Sequence, residues 1–271
     1  MAGGLSRRAR TGIQVGRALL EDPIQAWDWA QNGLEIVRGL GERRTETPSY
    51  TPEGDWLERL HALLGAEWPC PAAPDFSELW DDVASSLGSA GPGYGERYDS
   101  DASLGRALWC LVRHTKPTRV VETGVARGIN SRVMLEALEA NGAGHLYSID
   151  LPPVLEEWRT QSRAAVPTGL RSRWTYLTGS SRRHLPRLAA DLGALDLFVH
   201  DSLHSAANMR FEMTTMWPLL APGGALVADD VESNGAFSSF IAGSRGAASV
   251  VAPQDFTKRG LFGVALKPAS R

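Results

Sequence analysis

From Asp101 onward the chain alternates between two periodicities. Short apolar runs dense in β-branched residues, RVVE (119–122), HLYSID (145–150), RWTYLTGSS (173–181), LDLFVHD (195–201) and GALVADD (224–230), read as buried strands. Between them lie stretches of helical spacing. Leu104 to His114 reads as a helix stopped at Lys116-Pro117, and a second helix runs from Asn130 or Ser131, either of which can cap it, to about Ala140 before Asn141-Gly142. Two further runs, ASVVAP and GLFGVALKP, are close enough to pair as a hairpin at the sheet edge. Strands that alternate with helices build a parallel sheet covered on both faces. The predicted fold is therefore α/β: a Rossmann-like, doubly wound, mostly parallel seven-stranded sheet with an antiparallel C-terminal hairpin, plus an N-terminal helical segment.

Residues 1–95 follow a different pattern. Helical pieces such as PIQAWDWAQNGLEIVRGL and GDWLERLHALLGAEW are separated by polar stretches, and GSAGPGYG (88–95) reads as a linker or lid hinge. Trp56, Leu57, Leu60, Leu63 and Leu64 recur at helical spacing, so this helix is expected to dock one face on the larger domain. Trp27, Trp29 and Trp56 are expected to pack in a core, with a pocket floor as the alternative. The chain divides into a helical lid or accessory segment (1–95) and a binding domain (96–271).

In such sheets ligands lie at the carboxyl ends of the strands. Those ends carry Glu122, Asp150, Ser180, Asp201, Asp229 and Asp230. Four acidic ends suit a cationic or hydroxyl-rich ligand, or a metal. After Glu122 comes a turn, Thr123-Gly124-Val125-Ala126-Arg127-Gly128, that leads into a helix; its glycines let a ligand approach the backbone and the helix start offers free N–H groups. The G-x-G-x-x-G spacing of a dinucleotide site is absent. Asp150, 22 residues beyond Gly128, stands where a carboxylate accepts hydrogen bonds from ribose hydroxyls. A nucleoside-bearing ligand without a pyrophosphate cradle follows.

Composition narrows the partners. A net charge of −3 and a pI near 6.1 give no reason to expect nucleic acid. Arg7, Arg8 and Arg10 are not followed by an apolar export segment, and no uninterrupted apolar stretch is long enough to span a membrane. Cys70 and Cys110 are far apart, without metal-type spacing, so neither a disulfide framework nor a zinc site is suggested, and a reducing cytoplasm is expected. His61, His114, His145 and His184 read as surface or packing residues, and Arg127 and Arg132 as a solvated helix face.

These motifs resemble those of class I S-adenosylmethionine-dependent methyltransferases over about residues 101–271. VVETGVARG looks like the first motif, with Ala126 in place of its central glycine; YSID looks like the second; LTGSS sits where the family contacts adenine. The resemblance implies that Glu122, Gly124, Ala126 and Gly128 face the methionine part of the cofactor, that Asp150 holds the ribose, and that Gly179, Ser180 or Ser181 lies by the adenine. A plain strand-to-helix turn is the alternative for the glycines, and a cap or turn role for Asp150.

A second constellation spans HDSLHSAANMRFE and PGGALVADDVESNGAF. Asp201, Asp229 and Asp230 converge if their strands are neighbours, and three unpaired carboxylates would repel unless a divalent cation such as magnesium joined them. This arrangement is similar to metal-dependent O-methyltransferases of the catechol and macrocin-like types, in which the metal holds and acidifies the acceptor hydroxyl. Asp201 and His204 are then the catalytic candidates, with His204 in the place of a catechol-type lysine, either as base or as an outer-shell group. Asp229 and Asp230 without metal, beginning a loop, are the alternative. His200 is expected to shape the pocket, and Asn234 to contact metal or acceptor or to serve an Asn-Gly turn.

The expected activity is methyl transfer from S-adenosylmethionine to a hydroxyl of a small molecule, natural-product tailoring being the expected setting, with residues 1–95 closing over the acceptor. A homodimer is kept as a candidate assembly. A cyclase or isomerase on the same fold, and a non-catalytic cofactor-binding protein, are the competing readings.

Overall fold

The computed structural model describes residues 16, 20–42, 48, 50–88, 100–254 and 260–269. Beyond Gly88 the expected hinge lies outside the described residues, as do Arg7, Arg8 and Arg10. Seven strands form one sheet: β1 (Arg119–Thr123), β2 (His145–Asp150), β3 (Trp174–Thr178), β4 (Leu195–His200), β5 (Leu220–Ala228), β6 (Ala248–Pro253) and β7 (Leu261–Leu266). Their order is β3-β2-β1-β4-β5-β7-β6. The first five are parallel; β7 runs antiparallel to β5 and to β6. The pattern predicts this architecture, including the terminal hairpin, whose second strand inserts beside β5 and leaves β6 at the edge.

Nine helices accompany the sheet among the described residues: α1 (Pro23–Glu42), α2 (Trp56–Leu64), α3 (Ala73–Gly88), α4 (Ala102–Thr115), α5 (Ile129–Asn141), α6 (Glu156–Arg159), α7 (Ser181–Leu192), α8 (Ala206–Met216) and α9 (Ala236–Gly243). Helix α4 starts where Asp101 accepts hydrogen bonds from the Ser103 and Leu104 amides. One core cluster joins Val120, Leu146, Leu197 and Val227 to α4 and α5; another joins Val121, Ile149, Phe198 and Leu226 to Met209, Met213 and Met216 of α8. Successive strand residues therefore feed opposite faces, the reason these strands are apolar throughout. No described helix is long and apolar enough to cross a membrane.

The front helices pack as the periodicity of residues 56–64 predicts. Leu60 is buried, Leu57, Leu63 and Leu64 rest on the first core cluster, and Trp56 meets Phe262 edge-on at 5.3 Å. The tryptophans divide three ways: Trp56 packs, Trp29 donates its Nε1–H to the Pro152 carbonyl at 2.9 Å, and Trp27 is 65% exposed, contrary to expectation. On α1 apolar spacing does not imply a buried face, since Ile24, Leu34 and Val37 are exposed with it. A groove of about 390 Å³ lined by Trp56, Phe76, Trp80 and Arg106 contains none of the expected site residues.

Candidate active site at the strand ends

The parallel register brings the acidic strand ends together. Thr123 pairs with His200 and His200 with Ala228, so Asp201 and Asp229 emerge side by side just beyond β4 and β5. The Asp201 amide donates to the Thr123 carbonyl and the Asp229 amide to the His200 carbonyl, both at 2.9 Å, extending the ladder by one residue. Asp150 closes β2, level with Thr178 of β3.

At the turn after β1, Gly124 has φ +84, and a Cβ there would overlap the Asp201 carbonyl. Only glycine lets the first turn and the first acid of the second constellation lie in contact. Gly124→Ala is accordingly expected to destabilise the fold by more than the roughly 1–2 kcal/mol of a left-handed alanine, because Asp201 must also move. A fall in melting temperature, with weaker cofactor binding, checks this. Ala126 adopts φ 48, so alanine keeps the turn that a glycine would form without strain. Gly128 (φ +87) lies against Val166 and is the N-cap of α5.

Asn130 and Ser131 therefore lie inside the helix rather than capping it. Their side chains turn to carboxylates: Asn130 Nδ2 donates to Asp201 Oδ2 at 2.9 Å, and Ser131 Oγ to Glu122 Oε2 at 2.6 Å. Ser148 Oγ adds a second hydrogen bond to Glu122 Oε2 at 2.7 Å, while Glu122 Oε1 is buried with no partner. Complete burial pushes the Glu122 carboxyl up to about 8; the two hydroxyls oppose the rise and nearby Asp201 and Asp150 add to it. Asp150 folds back on the turn, accepting from the Val125 amide at 3.2 Å and the Tyr176 hydroxyl at 3.0 Å. Burial raises its pKa, and these hydrogen bonds oppose the shift.

Gly179, at φ +141, packs against Arg183 and His184, and Ser180 N-terminally flanks α7. The Ser180 amide and hydroxyl both donate to the buried Asp28 of α1, at 3.2 and 2.7 Å, and Arg183 Nε reaches the same carboxylate at 2.8 Å. Burial works against ionisation of Asp28, but the Arg183 and Ser180 hydrogen bonds outweigh it and hold the carboxyl below its ordinary value. Farther along α1, Glu35 takes a fork from Arg182 at 2.6 and 3.1 Å and a hydrogen bond from Ser205 Oγ at 3.1 Å. One helix thus runs from the LTGSS motif to the neighbour of His204. Ser181 Oγ lies 3.5 Å from Asn208 Oδ1.

His204 stands among the carboxylates. Its Nδ1 is 2.8 Å from Asp230 Oδ2, and its buried Nε2, which makes no hydrogen bond, lies 3.7 Å from Asp201 Oδ1. Asp201, His204 and Asp229 each present one donor atom within 4.8 Å of the others. Gln254 Nε2 braces Asp229 Oδ1 at 2.5 Å, and Asp230, at φ 49, swings its carboxylate to the far side of the imidazole. Burial disfavours the imidazolium, yet the adjacent Asp201 carboxylate, the contact with Asp230 and the surrounding negative charge raise His204 well above 6.5. Burial and the Asp201 and Asp230 charges push Asp229 well above the carboxylate range.

Beneath this cluster lies a network that motif reading misses. Glu212 of α8 accepts from Thr123 Oγ1 at 2.5 Å, Ser202 Oγ at 2.7 Å and Asn208 Nδ2 at 2.9 Å, and pairs with His200 Nδ1 at 2.6 Å. Burial alone would raise its pKa, but the His200 charge and the hydrogen bonds bring it down to about 2. The sequence signal was an acid three residues from Met209 on the apolar face of α8. Asn234 serves the turn: its Oδ1 accepts from the Ala236 amide and its Nδ2 donates to the His204 carbonyl. Arg127 and Arg132 are buried, contrary to the solvated reading; Arg132 is paired with Asp82 of α3.

Comparison with known proteins agrees with this geometry. Residues 121–231, from β1 through the acid cluster, match the profile of a family described as "Methyltransferase domain". None of the curated proteins compared with the sequence matches it. Among solved structures, the chain is similar to the O-methyltransferase TomG from Streptomyces achromogenes, involved in tomaymycin synthesis and in complex with S-adenosylmethionine: TM-score 0.55, 20% identity, 68% of this chain and 90% of that one. An O-methyltransferase from Bacillus cereus in complex with S-adenosylhomocysteine gives a TM-score of 0.53 at 16% identity, over 78% of this chain and 96% of that one. The methyltransferase PaMTH1 of Podospora anserina, bound to S-adenosylhomocysteine, gives 0.51 at 17%, over 81% and 99%. Residues 121–231 thus match a methyltransferase domain, and the seven-stranded sheet in the order β3-β2-β1-β4-β5-β7-β6 belongs to the fold that the chain shares with these similar structures.

Proposed function

We propose that the protein is a class I S-adenosylmethionine-dependent methyltransferase that transfers the cofactor's methyl group to a hydroxyl of a small molecule, with a divalent cation held beside the acceptor. The observation that carries the reading is the juxtaposition of Gly124 with Asp201, which sets the cofactor turn directly against a set of cation donors.

The turn fits the cofactor. Glu122 Oε1, buried and unpartnered, suits the cofactor's ammonium, and Asp150 offers its carboxylate to the ribose in exchange for the Tyr176 hydroxyl. Bound there, S-adenosylmethionine supplies a methyl group activated on a positive sulfur, which loses its charge on transfer. Glu122 carries a pH signature. Its folded pKa of about 8 is raised, so the stability it contributes is present below its ordinary value and is lost as pH rises through about 8. Only the carboxylate attracts an ammonium, so cofactor affinity should rise with pH toward 8. Glu122→Gln is expected to weaken binding and flatten that rise, measured as the dissociation constant of S-adenosylhomocysteine against pH.

The donor set also fits a cation, with roles that differ from the sequence expectation. Asp201, Asp229 and His204 Nε2 are the direct ligands, the cation taking the place of the Nε2 proton, while Asp230 holds His204 through Nδ1, as outer carboxylates orient metal-bound histidines. An imidazole among the ligands widens the choice from magnesium toward manganese, iron, cobalt or zinc. A cation there lowers the pKa of the acceptor hydroxyl and fixes its position. Asn130 aims Asp201, and Gln254 aims Asp229. Helix α1 meets Ser180 through Asp28 and Ser205 through Glu35, the placement of a segment that closes over the acceptor. A cytoplasmic setting and a natural-product acceptor belong to the same proposal.

The test is transfer of labelled methyl from S-adenosylmethionine to a panel of phenols, sugars and macrolides. We expect label in the acceptor, its loss on chelation and its return with added cation. Transfer unaffected by exhaustive chelation removes the cation, and bound cofactor with no transfer favours a different reaction on this fold.

A further inference from the structure

We propose that His61, Cys70, Cys110 and His114 form a structural zinc site that fastens the front segment to the methyltransferase domain. The sequence reading gave these residues no joint role, because the two cysteines are 40 positions apart and the histidines lack a finger-like spacing. The fold gathers them. Cys110 and His114 are one helical turn apart on α4, His61 comes from α2, and Cys70 stands just before α3.

The geometry is close to that of a tetrahedral S2N2 centre. Cys70 Sγ lies 3.9 Å from Cys110 Sγ and 3.3 Å from His114 Nε2, and one donor atom from each of the four residues lies within 4.8 Å of the others. Zinc bonds of about 2.3 Å to sulfur and about 2.0 Å to nitrogen put such donors about 3.3–3.8 Å apart, so only a small contraction completes the shell.

His61 supplies the independent observation. It is fully buried; its Nδ1 is 2.7 Å from the Leu57 carbonyl, while its Nε2 is buried without a hydrogen-bond partner. Donation of Nδ1–H to a carbonyl fixes the tautomer and leaves the Nε2 lone pair for a ligand, the usual arrangement of a metal-bound histidine. A buried lone pair left unused would be destabilising. The Trp68 ring, 5.0 Å from His61, covers the same imidazole.

Charge and softness select the ion. Two thiolates balance a divalent cation in the interior, and two neutral imidazoles complete the set; binding releases the two thiol protons. Thiolate ligands in tetrahedral array favour zinc over the hard cations expected of carboxylates.

The test uses the full chain, purified under reducing conditions with zinc supplied, dialysed and analysed for metal. We expect one equivalent of zinc per chain that is retained in Asp201→Ala and lost in Cys70→Ser and Cys110→Ser, apart from any zinc held at the Asp201 site. Cobalt(II) exchange into the wild-type protein should give the visible bands of a tetrahedral thiolate site and decides the matter even if the cysteine variants do not fold. A wild-type protein that takes up no zinc, one whose only zinc disappears in Asp201→Ala, or a Cys70–Cys110 disulfide in freshly purified protein would overturn the proposal.

Discussion

Asp201→Ala is expected to reduce methyl transfer by more than about 100-fold while S-adenosylhomocysteine binding stays within a few-fold of wild type. Outer residues that merely orient a metal ligand typically contribute 10–100-fold, so removing a direct ligand should exceed that range. Asp201 is reached from two sides: Asn130 Nδ2 holds Oδ2, and Oδ1 faces His204 Nε2. The alanine variant deletes a carboxylate of the proposed cation site and leaves Asn130 and His204 without their partner. Asp230→Asn provides the contrast, since Asp230 contacts His204 from the far side. Its loss should weaken cation affinity by about 10–100-fold and be recovered by excess cation, whereas Asp201→Ala should not be recovered. Steady-state rates across a cation titration distinguish the two.

Glu212→Ala is expected to destabilise the protein by about 3–5 kcal/mol, the range for removing one partner of a buried ion pair. For a chain of this size that corresponds to a fall in melting temperature of about 10 °C. His200, Thr123, Ser202 and Asn208 would lose their common partner beneath the candidate site. The pH dependence has a definite sign. The folded pKa of about 2 is depressed, so the stabilisation is present above the ordinary glutamate value and is lost as pH falls through about 2. Acid unfolding of the wild type should show that loss, and the alanine variant should lack it. Denaturant unfolding between pH 2 and 7 checks both statements.

The sheet was legible because each buried strand carries its own apolar run and each ends at a change of composition. The gathering of the acidic strand ends followed, since parallel strands place their carboxyl ends on one edge. What the sequence concealed depended on distance across the fold. Asn130 and Ser131 look like helix caps in one dimension, but Gly128 caps the helix and frees them to hold Asp201 and Glu122. Arg132 looks solvated until Asp82, 50 residues earlier, is brought beside it. Three acids in two short stretches suggest three equal ligands; the left-handed backbone of Asp230 instead turns its carboxylate onto His204. The contact of α1 with Ser180 joins positions 152 residues apart, and no local pattern encodes it.

Binding of S-adenosylhomocysteine to wild type and Asp150→Ala, with NADH as the control ligand, tests most directly whether the ends of β1, β2 and β3 hold the cofactor. The account predicts that the wild type binds S-adenosylhomocysteine and not NADH, and that Asp150→Ala loses affinity at least about tenfold, the equivalent of one hydrogen bond to a charged group. Equal affinity in the two proteins, or comparable binding of NADH, would contradict it.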